Sequence, residues 1–426
     1  MKKIVSLLIA GLCTAGISAS AKTIQVTIDS NDVYTQDEAV IKTTLETAAY
    51  IENDITMVPI RFVTEELGAV VEWNSDTKEV TITKGDENVV IKIGDVNVKS
   101  VKDGVENMFV LNAPPAIVND RTLVPLRFVS ENLGARVEYI EPTRQVLITD
   151  EEPAVVVGTV ELPKSLFRTS FRGNGSMVNM YGIDYAVQMI YNNLTSVAAI
   201  NSSWGVIDND KSLPAEIVEQ LNAVTDDEYT LAGVLKANVV KLNQMSYIVG
   251  KAQDMLYNSM DEKSVQDYYE QNFVCAKHVL ISTVDEKTGE PLTGKALKSA
   301  KAKAETVLRR ANSGATFDKL VEEYGQDPGM VGNDIGYIFT YGEMVEPFEK
   351  AAFELQENKI SDIVETDYGY HIIKKLPLPE MDGSVTGNVK SAYVNEMLNY
   401  MIENTTAQIK MPLEELFSYI AVSPVG

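Results

Sequence analysis

The chain of 426 residues contains only two histidines, His278 and His371. Each lies in a short run rich in β-branched and other apolar residues. Val274-Cys-Ala-Lys-His-Val-Leu-Ile281 and Gly369-Tyr-His-Ile-Ile-Lys-Lys-Leu376 both read as strands. If the two strands are neighbours, the imidazoles meet in the sheet interior. Such a pair can do polar chemistry beside a bound group, or it can simply be a satisfied polar pair in a core. Other candidates carry less. Cys275 is the only cysteine besides Cys13, and it reads as a small buried hydrophobe in a strand. No Cys-x-x-Cys or His/Cys cluster exists, so no metal site is expected. Arg172-Gly-Asn-Gly175 is glycine-rich but lacks the Lys-Ser/Thr ending of a phosphate loop, and reads as a turn.

The elements between the histidines must position them. Lys295 to Asn312 is an Ala/Lys-rich helix with Leu297, Ala300, Ala304, Val307 and Ala311 as its stripe. Thr316 is placed to cap a second helix holding Phe317, Leu320, Val321 and Tyr324. Gly325 to Gly332 is a loop, and Asp334-Ile-Gly-Tyr-Ile-Phe339 a strand. Pro347 starts a third helix containing Phe348, Ala351, Ala352 and Leu355. The order is β-α-α-β-α-β, a small α+β domain with helices packed on a short sheet.

This segment resembles the parvulin peptidyl-prolyl isomerases over about 105 residues. The matching pieces are Ala276-Lys-His-Val-Leu, Phe317-Asp-Lys-Leu-Val-Glu-Glu-Tyr, Gln326-Asp-Pro-Gly, Asp334-Ile-Gly-Tyr, Met344-Val-Glu-Pro-Phe-Glu-Lys-Ala-Ala-Phe and Tyr368-Gly-Tyr-His-Ile-Ile. The resemblance implies that His278 and His371 are the paired histidines of the site. It places Asp327 where the family has Cys or Asp, and Ile335, Met344 and Phe348 around the proline ring. Thr366 stands where the family keeps a polar residue near the histidines. The sequence departs from the pattern at Asn333, Val345 and Tyr368. Two of these residues keep a structural alternative. Asp327 beside Pro328 suits a turn, and Phe348 can seal the core rather than line an open pocket. Phosphate-directed parvulins resemble one another in an Arg-rich loop after the first strand. Here Ser282 to Gly294 holds Asp285, Glu286, Lys287 and Glu290 but no arginine, so no phosphate requirement is expected. Isomerisation needs no cofactor, and none is expected.

A repeat occupies the N-terminal part. Met57-Val-Pro-Ile-Arg-Phe-Val-Thr-Glu-Glu-Leu-Gly-Ala-Val-Val-Glu-Trp73 recurs as Leu123-Val-Pro-Leu-Arg-Phe-Val-Ser-Glu-Asn-Leu-Gly-Ala-Arg-Val-Glu-Tyr139. In each copy a proline opens a short helix, Gly68 or Gly134 ends it, and a hairpin follows. The doubled pattern resembles the copper amine oxidase N-terminal-like domain, which implies a structural or attachment module. No histidine lies in this region, so copper is not expected there. Arg61 and Arg127 read either as ligand-binding groups or as partners of a strand or helix-end carboxylate.

Composition sets the remaining limits. Apolar residues make up 45% and charged residues 23%, ordinary for globular protein. The formal charge of −24 disfavours nucleic acid and anionic lipid as partners. Lys2-Lys3, the apolar stretch Ile4 to Ile17 and Ala19-Ser20-Ala21 read as an export signal. Cys13 adds a lipoprotein alternative. No later stretch is long and apolar enough for an integral span.

The chain is thus expected to be an α+β multidomain protein. Residues 1–21 are the signal peptide, 22–150 the repeat domain, and 151–272 a linker with a helical chaperone-like region. Residues 273–378 are the parvulin domain, and 379–426 a C-terminal helical segment packing with the chaperone-like region. Val389 to Lys410 is expected to be one helix. The Met- and Tyr-rich helices read either as an adaptable surface for unfolded chains or as an ordinary core. The expected function is an exported peptidyl-prolyl isomerase and foldase, extracellular or in the cell envelope of a bacterium. Its expected partners are unfolded or proline-containing exported polypeptides, with cell-wall material as a second candidate through the N-terminal domain. The rival readings are a non-catalytic holdase that keeps the parvulin fold and a cell-surface attachment module.

Overall fold

The computed structural model describes residues 22–37, 39–205, 210, 212–285 and 287–421. The expected signal peptide and Cys13 lie outside the described residues. The protein is α+β and divides into two compact units. One runs to Ala252 and resumes at Met401; the other is Gln253–Tyr400.

The first unit begins with the repeat. Each copy supplies a hairpin and a helix: Tyr50–Glu52, Ile55–Pro59 and Ile60–Glu66, then Ala116–Val118, Arg121–Pro125 and Leu126–Asn132. Pro59 and Pro125 sit just before their helices. Gly68 and Gly134 follow the helices at φ +77° and +85°, a conformation glycine adopts without steric cost. The two hairpins merge into one four-stranded sheet. In it Val58 pairs with Val124, its own counterpart in the second copy. A local twofold axis therefore passes between them.

On either side lies a five-stranded sheet. One has the order Arg136–Ile140, Gln145–Thr149, Thr23–Thr27, Asp32–Gln36, Val40–Thr44. The other has the order Val105–Val110, Asn97–Lys102, Glu87–Lys92, Glu79–Lys84, Val70–Asn74. Ile24, Val26, Val63, Ile82, Val89, Val129 and Ile148 share one core between these sheets and the helices. The symmetry breaks on the outer faces. Across the first sheet one row reads Leu147, Gln25, Tyr34, Lys42; the matching row of the second reads Thr81, Val90, Lys99, Met108. Tyr34, Leu147 and Ile140 pack against Leu221, Leu235, Ala237 and Val240. Docking of that face takes Leu147 and Tyr34 out of water. Polar bonds fix the contact: the Ala237 amide donates to Gln25 Oε1 at 3.0 Å, and Tyr34 donates to Asp227 at 2.9 Å.

The helices Lys164–Gly173, Gly175–Tyr181, Ile183–Trp204, Ala215–Ala223 and Asp226–Leu231 follow, and then Lys236–Ser259. Two expectations change here. Part of the expected linker is a hairpin, Val155–Val157 with Val160–Leu162. The expected single helix over 389–410 is a helix, Gly383–Glu403, followed by a strand, Ala407–Ile409, which pairs with Val155–Val157. Apolar periodicity carries no information about a strand partner that far away in sequence. Leu413–Ala421 then packs on the Lys164–Gly173 helix through Leu416 and Ile420.

Beside that hairpin, Glu151 is almost fully buried, with Lys164 Nζ 3.7 Å from its carboxylate. Burial pushes its carboxyl up to about 7, against the pull of Lys164, Ser165 and Arg136. The folded state then holds a proton that the unfolded chain releases above its ordinary value. This contribution is present below about pH 4.5 and is lost as pH rises through 7. Glu151→Gln is expected to raise stability on the order of 2 kcal/mol at pH 8 and to change it little at pH 5. Thermal unfolding at the two pH values checks this; an equal or larger gain at pH 5 refutes it.

The second unit holds the β-α-α-β-α-β segment. Its sheet has the order Tyr337–Phe339, Val274–Ser282, Gly369–Leu376, Val364–Thr366. The short last strand was not expected. Gly294–Asn312 and Phe317–Tyr324 cover one face, packing on Val279, Ile281 and Ile372. Glu346–Glu354 covers the other through Phe348 and Ala352. Thr316 precedes its helix, but its side chain makes no capping bond. Glu262–Asn272 and most of Gly383–Glu403 also fall in this unit rather than with the other helices. Val265, Tyr269 and Phe273 cluster with Val389, and Tyr268 donates to Glu396 at 2.6 Å. The compact units part after Ala252 and after Tyr400.

Candidate active site

The two long strands of the second unit run antiparallel, with Leu280 opposite His371 and His278 opposite Ile373. His278 and His371 are therefore diagonal neighbours on one face. Their Nδ1 atoms are 3.0 Å apart, and the rings stack 5.2 Å apart at 14°. Both are buried, at 5% and 4% exposure. Asp327 reaches His278 Nε2 at 2.7 Å, Tyr337 donates its hydroxyl to the same carboxylate oxygen at 2.9 Å, and Thr366 Oγ1 lies 2.8 Å from His371 Nε2.

With both rings neutral, these contacts leave one proton arrangement. The Asp327 carboxylate only accepts, so His278 Nε2 carries hydrogen. In neutral His278 the Nδ1 atom then accepts, and His371 Nδ1 must donate to it. His371 Nε2 is left as an acceptor, and the Thr366 hydroxyl donates to it. The chain runs in one direction from Thr366 through both imidazoles to Asp327. It requires both rings to be neutral. Burial holds His371 down, to about 4, with the His278 ring adding to the effect. Burial also lowers His278, against the pull of Asp327. Burial works to raise Asp327, but bonds from His278, the Gly329 amide and Tyr337 outweigh it and hold the carboxyl below its usual range. Tyr337 is pushed up to about 12 by burial and by Asp327.

The second Asp327 oxygen accepts the Gly329 amide at 3.0 Å. The turn role and the site role therefore coexist in one carboxylate. A side chain at 329 would run into the Tyr337 hydroxyl, 2.2 Å from the Cβ position, so glycine is needed there.

Above this network opens a cavity of about 350 Å³. The histidines and Phe348 form its base, Leu280, Met344, Val345 and Tyr368 its apolar wall, and Asp327, Tyr337 and Glu343 its polar side. The arrangement offers an apolar seat beside a fixed anion, on a base whose hydrogen bonds are already satisfied. The profile of a known family matches this stretch, over residues 256–376. The segment is a PPIC-type PPIase domain. The match begins ahead of residue 273 and takes in the helix Glu262–Asn272, in keeping with the packing of Tyr269 and Phe273 into this unit.

A copper amine oxidase N-terminal domain matches twice, over residues 13–74 and 40–148. With neither histidine nor cysteine among residues 22–150, that domain here lacks the donors copper prefers. The foldase protein PrsA of Geobacillus sp. (strain WCH70) is 34% identical over 166 residues, 36% of this chain and 53% of that protein. The foldase protein PrsA of Geobacillus kaustophilus is 40% identical over 141 residues, 32% of this chain and 40% of that protein. The chain thus spans about half the length, or less, of these relatives. The crystal structure of the peptidylprolyl isomerase PrsA from Bacillus cereus is 21% identical, covering 58% of this chain and 83% of that one, with a TM-score of 0.29.

Within the PPIase domain the structure brings together His278, His371, Asp327, Thr366, Met344 and Phe348. It does not bring Ile335 with them. Ile335 is 59% exposed and lies away from the cavity. Asn333 is the reason. Its side-chain oxygen accepts the amides of both Ile335 and Gly336, and this turn directs Ile335 outward. Tyr337, two residues on, faces the cavity instead. Phe348 is only 3% exposed, so its ring is both cavity floor and core. Sequence reasoning missed Tyr337, Leu280 and Glu343 as lining residues. Strand alternation from His278 would have pointed to Leu280; nothing local marks the other two. Cys275 is buried, and burial pushes its thiol up, as suits a packing residue.

Proposed function

We propose that this protein is a parvulin-type peptidyl-prolyl cis-trans isomerase and foldase that acts on unfolded, proline-containing exported polypeptides. The observation that carries the reading is the one-directional hydrogen-bond chain ending on Asp327 beneath an apolar cavity. Rotation about a prolyl bond is slow because it must break amide resonance. No covalent step is needed, only better binding of the twisted amide than of either planar form. Met344, Leu280 and Phe348 supply the apolar contact for the pyrrolidine ring. A carboxylate near the substrate carbonyl disfavours the resonance form with negative oxygen and positive nitrogen, and so lowers the double-bond character of the bond to be turned. The neutral histidine pair keeps Asp327 ionised and fixed in place without neutralising it. In this reading the site residues are His278, Asp327, Tyr337, Met344, Phe348, Thr366 and His371.

Export is supported by Lys2-Lys3, the apolar stretch after them and Ala19-Ser20-Ala21. No helix among the described residues is long and apolar enough to cross a membrane. Cell-wall material is the second proposed partner, through residues 22–150. The test is a prolyl-peptide isomerisation assay with the whole chain. Acceleration is expected, with Asp327→Asn lowering kcat/KM about 10²-fold. A phosphoSer-Pro peptide should do no better than an apolar-Pro peptide, because the loop after the first strand has no arginine. No acceleration at high protein concentration would support the holdase reading.

A further inference from the structure

The repeat domain carries two open grooves related by its local twofold axis. One, about 680 Å³, is lined by Arg61, Phe62, Glu65 and Trp73 of the first copy, and by Ile117 and Asp120 from the hairpin of the second. The other, about 570 Å³, is lined by Arg127, Phe128, Glu131 and Tyr139 of the second copy, and by Ile51 and Asp54 from the hairpin of the first. Each of these named positions in one groove is the counterpart, 66 residues away, of a named position in the other. Both volumes fall in the range of small-ligand sites.

Phe62 and Phe128 pack against the core, and Arg127 also donates to the Val137 carbonyl at 3.1 Å, but packing does not account for the rest of the lining. Trp73 is 42% and Tyr139 39% exposed. The Arg61 and Arg127 side chains are 65% and 61% exposed, each beside the glutamate one turn on, at 3.9 and 3.2 Å. Exposed pairs of this kind stabilise a fold by very little. The two copies within this chain have also diverged where their surroundings differ: Leu147 stands against Thr81 and Tyr34 against Lys99. In the grooves Arg, Phe, Glu, an amphipathic aromatic and Asp remain in both.

We propose that these twin grooves bind an uncharged polysaccharide, one stretch of glycan in each. This rests on the reading of residues 22–150 as an attachment module and names its ligand class. The chemistry is that of a sugar ring. A half-exposed Trp or Tyr face offers an apolar platform with a polar edge. Arg, Glu and Asp around it offer donors and acceptors suited to hydroxyl groups. The charges in each groove nearly cancel. The first groove sets Arg61 and Arg121 against Glu46, Glu65 and Asp120, and the second sets Arg127 against Asp54 and Glu131. A phosphate-rich polymer finds no net positive site there, and the chain as a whole repels it. Two equivalent grooves suit a ligand that repeats, because engaging the second becomes an intramolecular step.

The experiment uses the whole chain, an N-acetylglucosamine hexamer, purified peptidoglycan sacculi and polyglycerol phosphate. The chain has two tryptophans, and Trp204 is buried, so Trp204→Phe leaves Trp73 as a fluorescent reporter in one groove. The hexamer should shift Trp73 emission, and sacculi should retain the protein. Trp73→Ala and Tyr139→Ala should each weaken retention on sacculi at least tenfold, and the double variant should abolish it. Unchanged isomerase activity and thermal unfolding would show that the variants stay folded. Retention on sacculi that is indifferent to both variants, or binding to polyglycerol phosphate but not to the hexamer, would overturn the ligand class and leave the attachment reading standing. Binding to none of the three would overturn both.

Discussion

Phe348→Ala is expected to destabilise the PPIase domain by roughly 3–5 kcal/mol. The ring is 3% exposed and packs with Val274, Ala276, Phe339, Ala352 and Ile373. It also stands edge-on to both histidines, 5.1 Å from the His278 ring at 78° and 5.3 Å from the His371 ring at 71°. Truncation removes the transfer term for the ring and leaves a void beneath the cavity that the strands cannot fill. Against a typical domain stability of about 5–15 kcal/mol that is a large loss. Water reaching the void would also rehydrate the histidines, and the pKa of His371 would move back toward its ordinary value. Phe348→Leu keeps most of the volume and is expected to cost less than about 1.5 kcal/mol. It leaves a folded domain in which the ring's contribution to kcat/KM can be read separately. Thermal or denaturant unfolding of both variants checks the stability claim. An alanine variant as stable as the parent would mean that Phe348 is no part of this core.

Acidification from pH 6.5 toward 4 is expected to remove roughly 3 kcal/mol from the same domain through His371 alone. The sign follows from the direction of the shift. The folded state holds His371 neutral down to about 4, whereas the unfolded chain takes up a proton near 6.5. The stability is therefore present above 6.5 and is lost as pH falls through that window. The mechanism is visible in the geometry. Protonation of His371 puts a hydrogen on its Nε2, so Thr366 can no longer donate to it, and protonation of His278 puts a hydrogen on its Nδ1, against the His371 N–H across the 3.0 Å contact. Activity should fall over the same window. With only two histidines in the chain, no third imidazole confuses the titration. Glu151 in the other unit acts with the opposite sign, so the two units should answer acid in opposite directions. Unfolding followed by fluorescence and by amide exchange at pH 7.5, 6 and 5 separates them. A PPIase domain equally stable at 7.5 and 5 would refute the neutral-pair assignment, and His371→Asn should flatten most of the slope.

Much of this architecture is legible in single segments. Pro59 and Pro125 before short apolar stripes, with Gly68 and Gly134 after them, mark two helices because start and stop signals act on their own backbone. The β-α-α-β-α-β order is legible for the same reason, since periodicity and punctuation are local. The His278–His371 contact follows from strand alternation once the two strands are taken as neighbours. Other features depend on partners distant in the chain. Ala407–Ile409 is a strand because Val155–Val157 offers an edge to pair with, and its own short sequence cannot announce that. Tyr337 rather than Ile335 faces the cavity because the Asn333 side chain claims two amides and rotates the turn. Only one of two sheets of matching topology docks on the helices, and it is the one with Leu147 and Tyr34 where the other has Thr81 and Lys99, residues whose role appears only when the opposing helix is in place. The direction of the hydrogen-bond chain was likewise closed to the sequence. It emerges when Asp327 and Thr366, from separate elements, are within bonding distance of the two rings, because a tautomer is chosen by what surrounds it.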